Sequence, residues 1–167
     1  VDFLHRTVGE PWPDWSIATL TATLDEWLAP YLPGAIGRRD LEQVDLAMVL
    51  RSQLPWPQGG DLEQLAPLRL ELPTGRSVPV DYSGEQPAAS VRVQDLFGTK
   101  VHPTAGGRPI VLSLLSPADR PIQITADLPG FWGGSWAEVR KDLAGRYPKH
   151  QWPDDPGNAD PKRLKDR

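Results

Sequence analysis

The segment 145–156, GRYPKHQWPDDP, combines basic side chains, aromatic rings and prolines within a short stretch of chain. Single-stranded nucleic acids are held by cations that follow the phosphates and by aromatic faces that stack on the bases, so these residue types suit that chemistry. Together with two basic residues that precede the segment, the candidate contacts are Arg140, Lys141, Arg146, Tyr147, Lys149, His150 and Trp152. The alternative is that Tyr147 and Trp152 anchor the segment on the fold while the cations face water.

The distribution of charge limits where such binding could occur. The net charge is −4, which argues against a surface that attracts polyanions everywhere, and salt screens exposed charges beyond about 8 Å. Residues 1–98 hold seven lysines and arginines against fourteen aspartates and glutamates, whereas residues 138–167 hold eight against six. We therefore expect only the C-terminal end of the chain to attract phosphate.

The sequence offers no catalytic residue. Nucleotide hydrolysis at a phosphate loop needs the pattern G-x-x-x-x-G-K-[ST], which is absent, and the glycine pair 106–107 is expected to be a flexible turn. A hydrolase serine would stand on a strained elbow such as G-x-S-x-G. Ser135 follows the glycine pair 133–134 instead, and we expect it to cap a helix together with Glu138. The chain alone is therefore expected to be inactive as an enzyme.

Metal binding has equally little to build on. His5, His102 and His150 lie far apart without partners at metal-ligand spacing, and the chain has no cysteine. Asp154 and Asp155 are adjacent between prolines, where a solvated turn is expected rather than a pair of carboxylates facing a substrate. We predict neither a metal nor a cofactor in this chain.

The elements that would position these residues begin with helices. Apolar residues at helical spacing predict a first helix over 17–31, ended by Pro30 and Pro33. A second helix is predicted to start at Asp40 as its capping residue and to end near Leu54, and a short third helix to follow Asp61.

The period of the apolar residues then changes to two, which predicts strands. One hairpin is expected over 68–82, with Pro79 making its second arm an edge strand, and a further short strand at Val91. A second hairpin is expected to join 110–115, in the middle of the sheet, to 121–125, where Ile122 and Ile124 would point inward.

The last predicted element is a helix with an aromatic stripe. Trp132, Trp136, Val139 and Leu143 share one helical face, the glycines 133–134 are expected to interrupt the helix, and Gly145 is expected to end it in a left-handed conformation. The predicted fold class is α+β: N-terminal helices, a small antiparallel sheet of about five strands in hairpins, and one aromatic-rich C-terminal helix.

The boundaries of the chain suggest a piece of something larger. Residues 1–11 begin with Val1 and are expected to be the end of a preceding domain or helix, residues 12–156 an accessory domain, and residues 157–167 a disordered tail. The longest strongly apolar run, 110–115, is far shorter than the roughly 18 residues of a membrane span, so we expect no membrane partner and a cytoplasmic protein.

Several longer stretches resemble one known family. They include WPD at 12–14, EWLAPYL at 26–32, LPW at 54–56, RLELPTG at 69–75, VRVQDLFG at 91–98, LLSPADRPIQITADLPGFW at 114–132 and GSWAEVRKDLAGRYPKHQWPDDP at 134–156. From residue 12 to about residue 161 the chain resembles the C-terminal domain of HrpB, the bacterial DExH-box ATP-dependent helicase family. The last run is the most specific, because it combines rare residues at fixed spacing.

The resemblance implies a helicase that acts on RNA or DNA, with two ATPase lobes upstream of Val1. ATP and Mg²⁺ would bind to those lobes, and no catalytic residue of the family maps onto this chain. The implied partners are the motor domains of the same polypeptide and single-stranded RNA or DNA. The resemblance leaves two roles open: positioning nucleic acid or packing on the motor, and recruiting a protein partner through the sheet edge near Pro79 or the acidic helices.

Overall fold

The computed structural model describes residues 1–32, 34, 37–55 and 57–161. Pro33, the second predicted stop of the first helix, and residues 162–167 of the predicted tail lie outside this part. The chain divides into two compact units, Val1–Ala66 and Pro67–Arg167, which are described in turn. Within the described ranges no helix combines the length and the apolar character needed to cross a membrane.

The first unit is helical. Its α-helices are α1 Asp2–Val8, α2 Ile17–Ala22, α3 Leu24–Trp27, α4 Arg38–Glu42, α5 Leu46–Ser52 and α6 Gln58–Leu65, with a 3-10 helix at Ala29–Tyr31. Helix α1 ends at Gly9, whose φ of 81° is left-handed and whose N–H bonds the carbonyls of Leu4 and His5.

Two of the predicted helices are each divided. The helix expected over 17–31 breaks at Thr23, whose hydroxyl donates to the Thr19 carbonyl at 2.9 Å and competes with the helical hydrogen-bond ladder. The prediction that Asp40 caps the second helix is wrong. Its carboxylate lies inside the first turn of α4 and accepts from the Gly37 N–H, while Asp45 caps α5 by accepting from the Met48 N–H at 3.0 Å.

The buried interior of the first unit is small. Its buried apolar side chains are Phe3, Leu4, Trp12, Val49 and Leu54. His5 links α1 to the following turn through Nδ1, which lies 2.7 Å from the Trp12 carbonyl oxygen. Several apolar side chains of its helices remain exposed, with Ile17 at 85% and Met48 at 62%.

The second unit carries all the strands of the described chain. They are β1 Arg69–Glu71, β2 Ser77–Pro79, β3 Ala88–Arg92, β4 Thr104–Ala105, β5 Arg108–Pro109, β6 Val111–Leu115 and β7 Pro121–Thr125. The pairs β1–β2 and β4–β5 form separate two-stranded antiparallel sheets, and the third sheet has the order β3-β6-β7. The predicted α+β class is confirmed.

The arrangement of the strands differs from the prediction in two respects: the described chain has seven strands in three sheets instead of about five strands in one sheet, and one pair runs in the other direction. Strands β3 and β6 are parallel, with Ala88 opposite Val111 and Arg92 opposite Leu115, rather than antiparallel. A parallel pair needs a long crossover, and residues 93–110 supply it with a 3-10 helix, Val93–Leu96, and the β4–β5 hairpin. The sequence pattern marked both strands but carried no signal for their relative direction.

Strand β6 lies in the middle of its sheet, as predicted, with Leu112 and Leu114 fully buried. Its neighbour β7 is an edge strand, and the prediction that Ile124 points inward is wrong, because that side chain is 69% exposed. The antiparallel pairing of β6 with β7 has a register shift between Leu114 and Leu115. Pro79 ends β2 opposite Arg69 in a two-stranded sheet, so β2 is an edge strand as expected.

The C-terminal helix is interrupted as predicted, into α7 Leu128–Gly133 and α8 Trp136–Arg146. The details of its ends differ. Gly145 lies within α8, which continues to Arg146 and ends at Tyr147 with φ −129°. Ser135 makes no capping hydrogen bond, because its hydroxyl is paired with the side-chain amide of Gln123.

An aromatic cluster fills the space beside these helices. It consists of Phe97, Phe131, Trp132, Trp136 and Trp152. The Trp136 ring is 1% exposed, with the Phe97 ring 5.7 Å away and the Trp132 ring 5.4 Å away, both edge to face. Trp136 is thus part of the core, and the Trp132 indole N–H donates to the Thr99 carbonyl at 3.0 Å.

Candidate functional site

The segment 147–158 is fixed to α8 and to the aromatic cluster by its own backbone carbonyls. The Trp136 indole N–H donates to the Pro153 carbonyl at 3.0 Å, and Arg140 Nε donates to the Trp152 carbonyl at 2.7 Å. The Trp152 indole N–H closes the loop by donating to the Tyr147 carbonyl at 2.9 Å. These bonds satisfy carbonyls that no helix or strand uses, and they hold residues 147–155, which have no regular secondary structure, to α8.

The end of this segment is also part of the fold. Pro156 and Gly157 are buried in a 3-10 helix, Pro156–Asn158, and the Gly98 N–H donates to the Pro156 carbonyl at 2.8 Å. Asp155 caps this short helix by accepting from the Asn158 N–H. The first part of the predicted disordered tail, residues 157–161, thus begins in this short helix, where Gly157 is buried, whereas Asn158 and Asp160 are exposed.

The aromatic candidates of the segment point mainly into the protein. Tyr147 is half-buried and its hydroxyl lies 3.2 Å from the hydroxyl of the buried Ser116. Trp152 is half-buried against Trp136, with ring centroids 6.4 Å apart. These contacts are those that the anchoring alternative predicted for Tyr147 and Trp152. His150 is exposed, and its Nδ1 lies 2.9 Å from Nε2 of Gln94.

The basic candidates differ in how far the fold already uses them. Arg140 donates from Nε to the Trp152 carbonyl at 2.7 Å and forms an ion pair from Nη1 to Asp154 Oδ1, also at 2.7 Å. Arg146 makes only an exposed pair with Asp142, four residues earlier on α8, at 3.1 Å. Lys141 and Lys149 are exposed and pair with no residue in the described ranges. We call Lys141, Arg146 and Lys149 the exposed cations.

A cleft of about 220 Å³ lies next to His150. It is formed by the β1–β2 turn, the end of β3 with the following 3-10 helix, and the C-terminal segment, and Phe97 of the aromatic cluster also lines it. Its charged and hydrogen-bonding side chains include Arg76, Arg92, Gln94, Asp95, His150 and Asp160. Of these only His150 was a predicted site residue, because the others stand at unrelated spacings and only the fold brings them together.

The two arginines of the cleft have different partners. Arg92 makes a bidentate pair with Asp119, with Nε and Nη2 each 2.7 Å from a carboxylate oxygen. This hydrogen bonding raises the pKa of Arg92 and lowers the pKa of Asp119. Arg76 Nη1 lies 3.7 Å from Asp95 Oδ2, which is within ion-pair range but too long for a hydrogen bond. The Arg76 side chain therefore makes no hydrogen bond to the described residues, whereas Arg92 uses Nε and Nη2.

Neither a phosphate loop nor a metal centre is built from the described residues. Gly106 and Gly107 have φ of 55° and 73° and form the turn of the β4–β5 hairpin, not the start of a helix, so they do not fit the triphosphate of ATP. Within the same described part, no three histidine, aspartate or glutamate side chains converge on a point that could hold a metal ion.

The family follows from comparison with known proteins. A family model described as ATP-dependent helicase C-terminal, HrpB_C, matches residues 27–156. The chain belongs to the HrpB C-terminal family. The resemblance found in the sequence is thereby confirmed, and the chain is a C-terminal domain of the HrpB type.

Relatives of this HrpB-type domain have been characterised in Escherichia coli. The chain is 44% identical over 155 residues to the ATP-dependent RNA helicase HrpB of strain K12, covering 91% of the chain and 19% of that protein. A crystal structure titled E. coli DExH-box NTPase HrpB matches 96% of the chain and 21% of its own, with a TM-score of 0.87 and 41% identity.

A second crystal structure, titled Escherichia coli DEAH/RHA helicase HrpB, matches 90% of the chain and 20% of its own, with a TM-score of 0.70 and 39% identity. The HrpB-type domain thus spans about a fifth of the length of each relative.

Proposed function

We propose that this domain is a non-catalytic accessory domain of an ATP-dependent RNA helicase, and that it positions single-stranded nucleic acid for the motor. The chemistry of ATP and Mg²⁺ would belong to motor domains of the same polypeptide. The names of the relatives and the small share of their length that the chain covers support this division of labour.

The observation that carries the proposal is the availability of the exposed cations. Lys141 and Lys149 have no partner among the described residues, and the exposed Arg146–Asp142 pair holds its arginine only weakly. Phosphates of a single strand could therefore be bound without breaking contacts that the fold needs. Arg140 is different, because its two contacts hold the segment 152–154 in place.

The test is the salt dependence of binding to a single-stranded oligonucleotide. Neutralising about three phosphates gives a slope of log affinity against log salt near −2 for a single strand, because each neutralised phosphate releases counterions. We expect the double variant Lys149→Ala, Arg146→Ala to bind more weakly and with a flatter slope, as measured by fluorescence anisotropy at several salt concentrations.

The matched control removes the same charge elsewhere on the second unit. Lys100 and Arg108 are exposed, and neither side chain is used by the described fold. The double variant Lys100→Ala, Arg108→Ala should keep the original slope. If both double variants lose the same affinity, binding depends on total charge and not on the exposed cations, and the proposal is wrong.

A second candidate function is a protein-interaction module that recruits a partner to the helicase. Two observations favour it. The helices of the first unit expose Ile17 and Met48, and exposed apolar surface is often covered by a partner. In the second unit, a groove of about 420 Å³ opens beside Pro79 and is lined by Val80, Val111 and Ile124.

A further inference from the structure

The cleft next to His150 contains a donor and an acceptor that the fold leaves unused. The Arg76–Asp95 pair is separated by 3.7 Å, and neither side chain makes a hydrogen bond to any residue that the structure describes. The Asp95 side chain is only 17% exposed. A carboxylate at this distance from its ion-pair partner can still accept hydrogen bonds from a ligand that brings donors.

The Arg76 donors and the Asp95 acceptor match the hydrogen-bonding edge of one nucleobase. Guanine presents the acceptor O6 next to the donors N1–H and N2–H₂, with the acceptor N7 on the other side of O6. Arginine donating to O6 and N7 is the commonest specific contact to guanine, and a carboxylate can accept from N1–H and N2–H₂ together. Adenine, cytosine and uracil do not present an acceptor followed by two donors on this edge.

The size and charge of the cleft fit a base and not a phosphate. Its volume of about 220 Å³ is below the roughly 300–1,000 Å³ of sites for drug-sized ligands, so it suits one planar group. Arg76 and Arg92 line it together with Asp95 and Asp160, so these charges balance and leave no net positive charge to attract a phosphate inside. Lys149 precedes His150 in the chain and is exposed, so a phosphate could be held outside the cleft.

We propose that this cleft binds a single unstacked guanine of single-stranded RNA, with Asp95 and Arg76 reading its edge and the solvent-exposed side of the His150 ring, which also contacts Tyr147 and Trp152, stacking on the base. Recognition of RNA bases commonly uses such splayed bases, stacked on aromatic or histidine rings and hydrogen-bonded at their edges. The inference rests on the proposed function, since the strand must first bind to the exposed cations, and it adds base selectivity to that function.

The experiment compares uridine oligonucleotides of equal length that contain one central guanine, one central adenine or neither. Fluorescence anisotropy with the whole chain should give roughly tenfold tighter binding to the guanine oligonucleotide, since a good bidentate base contact discriminates by about this factor. Asp95→Asn keeps the shape of the side chain but replaces one acceptor oxygen of the carboxylate by an NH2 donor. This variant should therefore lose the preference for guanine. Arg76→Gln, at a more exposed position, should reduce it independently.

The matched control is Glu138→Gln, which removes one negative charge from an exposed site on α8 away from this cleft and should keep the preference for guanine. Equal affinity for all three oligonucleotides in the original chain would overturn the inference and leave the proposed function intact. No binding to any of them would overturn both.

Discussion

At the scale of single residues, the second unit uses similar side chains in different ways. Arg92 and Arg140 are committed to carboxylates or carbonyls of the fold at 2.7 Å, whereas Arg76 and Arg146 have looser partners. The sequence marked Arg140 and Arg146 alike as candidates, because both lie in or just before the aromatic segment 145–156, and it gave no reason to single out Arg76 or Arg92. Distances and burial decide which can serve a ligand, and they assign Arg140 to the structure and Arg146 to the solvent.

Tyr82 gives a prediction that concerns pH. Its hydroxyl donates to the Pro67 carbonyl at 2.8 Å, and burial raises the pKa of Tyr82 to about 12. The raised pKa means that the neutral form stabilises the fold below the ordinary tyrosine pKa of about 10 and that this stabilisation is lost as the pH rises towards 12.

The measurement is an ultraviolet titration of tyrosinate in the folded chain. Of the three tyrosines, one should ionise last, and that late step should disappear in Tyr82→Phe. Tyr31→Phe serves as the control, since Tyr31 is exposed and its removal should leave the late step unchanged. A late step that survives in Tyr82→Phe would contradict the assignment.

At the scale of elements, the two-residue period of the strands and the helical spacing of the tryptophans predicted most elements of the second unit. The strands β1, β2, β6 and β7 lie where alternation placed them, and α7 and α8 separate at the glycines. The direction of β3 relative to β6 was not predictable, because parallel pairing depends on the crossover 93–110 and not on the strand residues. The end of α8 was missed because Gly145 tolerates a helical backbone, so a glycine near a helix end does not by itself fix the last turn.

Arg140 gives a prediction about how α8 holds the segment that follows it. Arg140→Ala removes the hydrogen bond to the Trp152 carbonyl and the pair with the exposed Asp154. A hydrogen bond from a charged donor contributes about 1.5–3 kcal/mol, and the exposed pair adds little, so we expect a loss of about 2 kcal/mol in the free energy of unfolding.

Urea denaturation followed by tryptophan fluorescence measures this loss. Arg146→Ala is the control on the same helix, and its exposed pair with Asp142 predicts a change below about 0.5 kcal/mol. Arg140→Ala should also leave the salt slope of nucleic-acid binding unchanged once the folded fraction is taken into account. Equal destabilisation by both variants would mean that the carbonyl contact does not stabilise the segment.

At the scale of the whole molecule, the α+β class and the family could be predicted from the sequence, whereas the cleft could not. Its charged lining comes from the β1–β2 turn, the end of β3 and the C-terminal segment, and no spacing along the chain connects Arg76, Asp95 and Asp160. The division into units at residue 66 was also not predicted, although the period of the apolar residues changes from helix to strand at residue 68, beside this boundary.

The exposed apolar residues of the first unit give a prediction for the full-length helicase. If its helices recruit a partner, Ile17→Glu with Met48→Glu should reduce the amount of a specific protein that co-purifies with the helicase, while the affinity for RNA stays the same. Both side chains are mostly exposed, so the charged replacements should not disturb folding.

The control is Val101→Glu, at an apolar residue of the second unit that is 78% exposed. Quantitative affinity purification of the three proteins distinguishes the outcomes. An unchanged set of co-purified proteins in the double variant would leave these helices without a recruiting role, and a fall in RNA affinity would place them in nucleic-acid binding instead.

The wide separation of the cleft residues along the chain has a consequence for synthesis. Arg76 leaves the ribosome long before His150 and Asp160, so the cleft does not exist until nearly all of the second unit has been translated. A nonsense mutation after Arg146 would delete the segment that carries Lys149, His150 and Trp152 while sparing every strand. Such a truncated product would contain the residues of the described strands but lack the cleft wall and the carbonyl that accepts from Trp136.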